Sequence, residues 1–95
     1  MTWLRKGEWP YRFPPNRRAE RLKLLEQIEY IRQEVEEARQ ALLLGEGDDR
    51  VIEELWDVVQ TTEGGLRKFP RWRVMVGHAR VKLKSLMRGD YGRPR

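Results

Sequence analysis

Cysteine is absent from the chain, and its absence excludes disulfide bonds, thiolate metal sites and thiol nucleophiles together. Histidine is nearly absent as well, and the one histidine, His78, is interpreted as a surface or interface residue rather than a catalytic one. The sequence also has no long apolar run and no charged-then-apolar leader. We therefore expect a soluble, cytoplasmic protein without a transmembrane or secretory segment.

The length of the chain limits how much core it can bury. Ninety-five residues suit one small domain with a modest hydrophobic core. Many chains of this size complete their core by self-association. We therefore expect a homodimer or a homotetramer.

Acidic residues are scarce at both ends of the chain and concentrated in its middle. Residues 24–63 carry twelve acidic and three basic side chains, whereas residues 64–95 carry ten basic and one acidic. A nucleic-acid-binding protein usually spreads its basic residues over one continuous face without an acidic block, so a nucleic-acid partner is disfavoured. The pattern fits a cation and a polyanion bound side by side, or charge blocks that pair with each other.

Residues 1–16 are predicted to form an extended arm, because prolines interrupt them and prevent a regular helix. The aromatic residues of the arm are expected to pack on the body or on a partner subunit, and stacking of one tryptophan on a nucleobase is the alternative. The arm contains Trp3, Trp9, Pro10, Tyr11, Phe13, Pro14 and Pro15. Residues 17–92 are predicted to form a helical domain, and residues 93–95 a basic tail.

Hydrophobic periodicity predicts about three helices. The first begins at Pro15 or Asn16 and continues to about Leu44, and its apolar seam steps by three and four residues through Leu24, Ile28, Ile31, Val35, Ala38 and Leu42. A turn containing Gly45 and Gly47 follows. The second helix is predicted over about 50–68, with a seam of Ile52, Leu55, Val59, Thr62, Leu66 and Phe69.

The third predicted helix runs from Pro70 to Gly89, with apolar residues on one face and basic residues over the rest. Inside the second helix, Gly64 and Gly65 indicate close approach of another helix or a ligand, or a helix break. The expected fold is all-α, an antiparallel helical bundle that homo-oligomerisation completes into a four-helix-type core.

Two carboxylate pairs lie beside the two seams. Glu34 and Glu37 are three residues apart on the first helix, as are Glu54 and Asp57 on the second. Because the short turn makes the two helices antiparallel neighbours, the acidic stripes can face each other. Oxygen ligands without convergent histidine or cysteine favour Mg²⁺, with Mn²⁺ as the alternative, and leave positions for substrate phosphates.

These residues resemble a known family. Glu34-x-x-Glu37, sixteen intervening residues and Glu54-x-x-Asp57 are similar to the pattern of the MazG-like, all-α nucleoside triphosphate pyrophosphohydrolases. The segment from Asp57 to Gly64 and the closing Lys84-x-x-x-Arg88-Gly89-x-Tyr91 resemble small single-domain members. The resemblance covers roughly residues 22–92.

The resemblance implies hydrolysis of (d)NTPs between the α and β phosphates, which gives a monophosphate and pyrophosphate and suits the clearing of non-standard or excess nucleotides. It implies that Glu34, Glu37, Glu54 and Asp57 hold the metal and that Glu37 is a candidate base. Basic phosphate ligands would be Lys84 and Arg88, with Lys82 a third candidate. Trp56, beside Asp57, is a candidate for packing or for base stacking.

Two other classes of function stay open. One is a non-catalytic helical module that binds nucleic acid or an acidic partner through its basic ends. The other is a nucleotide-binding regulator that keeps the metal site without turnover. Measured pyrophosphate release distinguishes both from the hydrolase.

Overall fold

Four helices account for the fold of residues 10–92, the part of the chain that the computed structural model describes. They are α1 (Arg17–Arg21), α2 (Leu24–Leu43), α3 (Asp48–Leu66) and α4 (Arg71–Met87). The described residues contain no strand, so the predicted all-α class is confirmed. None of these helices combines the length and the apolar character needed to cross a membrane. Trp3, Trp9 and the predicted basic tail lie outside the described residues.

The prediction of one continuous helix up to about Leu44 is wrong, because the chain breaks between α1 and α2. Leu22 and Lys23 are extended, with ψ angles of 142° and 159°. Asn16 caps α1 by accepting hydrogen bonds from the next turn, and Glu26 accepts one from the Lys23 amide at the start of α2. At the break, Lys68, which follows the end of α3, donates to the carbonyl oxygens of Ala19 and Leu22. A contact distant in sequence therefore stabilises the interruption.

The turn between α2 and α3 is built as the glycine spacing predicts. Gly45 has a φ of 66°, and the amides of Gly45 and Glu46 donate to the carbonyls of Leu42 and Ala41. This pattern is a Schellman motif, which requires a left-handed residue after the helix. The short turn returns α3 along α2, and these two helices form the main packed pair.

The seam that joins α2 to α3 lies one residue before the predicted seam on every turn of α3 and on most turns of α2. On each helix a row of buried or half-buried residues steps by four and three: Gln27, Ile31, Glu34, Ala38 and Ala41 on α2, and Val51, Glu54, Val58, Thr61 and Gly65 on α3. The predicted seam is therefore wrong as an α2–α3 contact except at Ile31 and Ala38. Its large members are mostly exposed, including Ile28, Val35 and Leu55. A one-residue shift rotates a helix by about 100°, so the acidic stripes lie inside.

The start of the described chain is fastened to α3. The buried carboxylate of Glu63 accepts hydrogen bonds from the Arg12 and Phe13 amides at 2.8–3.0 Å. Arg67 donates to the Phe13 carbonyl at 2.7 Å, and its guanidinium lies 4.0 Å from the centre of the Tyr11 ring. These contacts fix residues 11–13 against the end of α3.

The last helix, α4, packs little against the other helices. Val74 and Ser85 are its buried residues, whereas the predicted apolar face is largely exposed at Trp72, Leu83 and Leu86. Gly89 has a φ of 79° and ends the helix as predicted. The chain therefore presents apolar surface on α2, α3 and α4.

Candidate metal centre

A polar cleft of about 240 Å³ lies between α2 and α3. It exists because the inward stripes of both helices carry carboxylates where a bundle usually carries large apolar residues. All four predicted metal ligands line the cleft: Glu34, Glu37, Glu54 and Asp57.

Three of these carboxylates form a compact cluster. Glu34, Glu54 and Asp57 each place a carboxylate oxygen within 4.8 Å of the other two. Glu34 is 8% exposed and Glu54 2%, whereas Asp57 is open to solvent. Glu37, one turn along from Glu34, lines the cleft from an exposed position outside this cluster. The two carboxylate pairs thus lie together in the cleft, with one buried and one exposed side chain in each pair.

Burial raises the pKa of Glu34 above its ordinary value of 4.5, and the neighbouring charges of Glu37, Asp57 and Glu54 raise it further. Arg18 opposes this effect by lowering the pKa. The direction is that of acids gathered in a confined site, where each negative charge disfavours the others. A bound cation would reverse this repulsion.

Glu54 has one partnered oxygen and one orphan. Its Oε1 lies 2.6 Å from Nη2 of Arg50, one turn earlier on α3. Its Oε2 is buried and has no hydrogen-bond partner among the described residues. A buried carboxylate oxygen without a partner is costly, so this atom calls for a cation or a donor.

Gln27 forms the floor of the cleft and is fully buried. Its Nε2 donates to the Thr61 carbonyl at 2.8 Å, while its buried Oε1 has no partner within residues 10–92. The backbone of Gly64 leaves the space that this side chain occupies. The glycine pair predicted to permit close approach therefore admits α1 and the Gln27 side chain.

The predicted phosphate ligands lie elsewhere in the chain. Lys82 and Lys84 on α4 and Arg88 just after it are exposed and do not line the cleft. Arg88 instead pairs with Asp90 at 3.2 Å. Trp56 does not line the cleft either, and its ring meets Phe13 edge-on at 6.0 Å. His78 borders a separate groove between α3 and α4.

Two residues of the cleft escaped the sequence analysis, although each follows a regular spacing. Arg50 precedes Glu54 by four residues, the spacing of a helical ion pair. Gln27 precedes Glu34 by seven residues, so the two share one side of α2. Neither spacing is rare enough by itself to identify a functional residue.

The donor set fits a hard divalent cation. The cluster offers carboxylate oxygens and one buried orphan atom, and no histidine or cysteine lines the cleft within the described chain. Such ligands suit Mg²⁺ or Mn²⁺ better than Zn²⁺.

Comparisons with protein-family models, curated proteins and solved structures found no match to this chain. The residues of the cleft are therefore the features of this chain that indicate a function.

Proposed function

We propose that this protein is a metal-dependent nucleoside triphosphate pyrophosphohydrolase of the MazG-like type. The observation that carries the proposal is the cluster of Glu34, Glu54 and Asp57 within 4.8 Å, with Glu54 almost fully buried. Substrate would be a (d)NTP, cleaved between its α and β phosphates to a monophosphate and pyrophosphate. Clearance of unwanted nucleotides is a role that such a reaction suits.

In this proposal Glu34, Glu54 and Asp57 hold Mg²⁺ or Mn²⁺, and Glu37 completes the set at the open side of the cleft. The metal would supply Lewis-acid polarisation of phosphate oxygens and a lowered pKa of bound water. Glu37 is exposed and lies beside the cluster, so its carboxylate is free to orient or deprotonate an attacking water. The buried pair keeps the ligand geometry fixed between two packed helices.

Self-association is part of the proposal, because the predicted phosphate ligands on and just after α4 do not line the cleft of their own chain. These ligands are Lys84, Arg88 and Lys82, and α4 packs little on the other helices. Exposed apolar residues along α2, α3 and α4 support burial against further copies. A homodimer or homotetramer would complete the four-helix-type core and bring α4 of one chain to the cleft of another.

The test is pyrophosphate release from a panel of NTPs and dNTPs with Mg²⁺. Glu54→Gln should lower the rate at least about 100-fold, because a lost metal ligand removes several kcal/mol of charge stabilisation. Glu36→Gln is the matched control, since this glutamate has a side chain 55% exposed and does not line the cleft. Turnover of no nucleotide, or equal rates for the two variants, would refute the proposal.

Mixing two inactive variants tests the arrangement of the subunits. Glu54→Gln lacks a cleft ligand, and Lys84→Gln lacks a phosphate ligand. If α4 of one subunit contacts the cleft of its partner, random mixing of dimers should restore about a quarter of the wild-type activity. Half of the mixed dimers are heterodimers, and each heterodimer has one intact site out of two. Failure of mixed, re-equilibrated chains to recover activity would contradict the exchange of α4 between subunits.

A second candidate function is favoured by the exposed basic residues of α4. A non-catalytic module would bind nucleic acid or an acidic protein through this helix, with strong dependence on salt. Retention that is lost in Lys84→Gln/Arg88→Gln but unchanged in Glu54→Gln would support this function over hydrolysis.

A further inference from the structure

Arg50 carries a positive charge into the acidic cleft from the cleft's own chain. Its Nη2 lies 2.6 Å from Glu54 Oε1, and its Nη1 lies 3.6 Å from Glu53 Oε2 at the rim. The Glu54 side chain is 3% exposed, whereas that of Arg50 is 53% exposed. The contact therefore joins a buried anion to a cation that retains access to solvent.

Burial makes this ion pair different from the other pairs of the chain. The pairs Arg32–Glu29 and Arg39–Glu36 link side chains that are each more than half exposed, where such contacts contribute little. Glu54 instead lies between two packed helices beside Glu34 and Asp57. Without a nearby cation its charge would be strongly disfavoured, so Arg50 supplies compensation that the site requires.

A metal ion at the cluster would bind the same carboxylate that Arg50 engages. Glu54 Oε1 lies 2.6 Å from the guanidinium, and Oε2 faces no hydrogen-bond donor in the described part of the chain. A guanidinium and a divalent cation bound to the same carboxylate repel each other. Binding of one at Glu54 therefore weakens binding of the other.

We propose that Arg50 competes with the divalent cation for Glu54 and, once displaced, binds phosphate oxygens of the substrate. This inference rests on the proposed function of the cleft. Arg50 lies in the first turn of α3, and its exposed side chain can rotate without disturbing the packing of the helix. A guanidinium offers parallel N–H donors that match two phosphate oxygens, which an ammonium does not.

This arrangement gives the cleft a cation in both of its states. Before metal and nucleotide bind, Arg50 reduces repulsion within the cluster. After they bind, the same guanidinium lies beside the phosphates, where it offsets their charge. Metal alone must displace Arg50 without compensation, whereas metal with a phosphate ligand gives Arg50 a new partner. Pyrophosphate should therefore strengthen metal binding in the wild type.

Calorimetry with Mn²⁺, in the presence and absence of inorganic pyrophosphate, tests the inference without any turnover. Arg50→Gln should bind Mn²⁺ alone about tenfold more tightly than the wild type, because the competing ion pair with Glu54 is removed. It should also bind pyrophosphate about tenfold more weakly when Mn²⁺ is saturating. Arg50→Lys keeps the charge without the planar fork, so it should retain the competition and lose most of the pyrophosphate affinity.

Arg39→Gln is the matched control, because it removes the same charge from an exposed pair on the outer side of α2. Equal Mn²⁺ affinities for Arg50→Gln, Arg39→Gln and the wild type would overturn the competition. Tighter Mn²⁺ binding with unchanged pyrophosphate affinity would overturn the role in phosphate binding. Both expected shifts in a protein that hydrolyses no nucleotide would support Arg50 and refute only the proposed reaction. No Mn²⁺ binding by any variant would refute the metal site itself.

Discussion

Replacing Gly64 with alanine tests how closely α1 and α2 approach α3. A Cβ atom at position 64 would lie 2.7 Å from the Ala19 Cβ atom and 2.9 Å from Gln27 Nε2. The Ala19 Cβ moves only with its backbone, and the Gln27 amide is buried and bonded to the Thr61 carbonyl. The added methyl group therefore has no space unless two helices shift.

Two opposing effects set the size of the change. Alanine favours a helix interior over glycine by about 1 kcal/mol, and overpacking costs about 1–3 kcal/mol. Because the contact with Ala19 involves a backbone-fixed atom, the cost should lie toward the upper end. We expect Gly64→Ala to lower the free energy of unfolding by about 1–2 kcal/mol.

Gly65 provides the matched control one residue along α3. A Cβ atom there would meet Gln27 Cγ at 3.5 Å and Ile31 Cδ1 at 3.7 Å, which are ordinary contacts. Gly65→Ala should therefore gain up to about 1 kcal/mol from helix propensity.

Urea unfolding at one fixed protomer concentration measures both glycine variants, since the proposed self-association would make stability depend on concentration. Adding Ala19→Gly to Gly64→Ala removes the opposing methyl group and should restore part of the loss. Equal stability of the two glycine variants would refute the close approach of α1.

Two further changes test the site and the helix break. Burial and neighbouring acids raise the pKa of Glu34 above 4.5, so its contribution to stability is present below about pH 4.5 and is lost as the pH rises through the folded pKa. Glu34→Gln should thus raise the Tm of the metal-free protein at pH 7 but not at pH 4. Thermal scans in the presence of a chelator measure this, with Glu29→Gln at an exposed position as the control. Equal Tm shifts for the two variants would contradict the effect of burial on Glu34. Lys68→Met leaves the Ala19 and Leu22 carbonyls without their charged donor and should cost about 2 kcal/mol in urea unfolding. Exposed Lys82→Met should change little, and an equal effect would contradict the role of Lys68 at the break.

The sequence was sufficient for the helical class, the turn at Gly45 and the facing of the acidic stripes. It was insufficient for the phase of the α2–α3 seam. Large apolar residues such as Leu24 and Ile28 dominate a hydrophobic pattern, but here they belong to surfaces exposed in the chain. Most of the residues that pack are small or polar, and the Gln27–Thr61 and Arg50–Glu54 contacts each satisfy one polar atom of a buried side chain. The hydrophobic pattern of each helix does not reveal such contacts between polar side chains and their partners.

The break between α1 and α2 was unpredictable for a related reason. Neither Leu22 nor Lys23 is a helix breaker, and no glycine or proline lies between Asn16 and Leu43. The carbonyls released there find their donor in Lys68, more than forty residues away. Local propensity favours a continuous helix by a small amount for each residue, so one half-buried, charged hydrogen-bond donor is enough to favour the break instead.

The rotation of α2 and α3 explains two features of the molecule together. Turning each helix by one residue brings Glu34 and Glu54 inside, and it turns Val35 and Leu55 outside. Either consequence alone would destabilise a 95-residue domain, because buried acids repel and exposed apolar residues lose their burial energy. A cation in the cleft would reverse the first effect, and a second chain over the apolar face would reverse the second. The proposed metal site and the proposed self-association would therefore each offset one consequence of the same helix rotation.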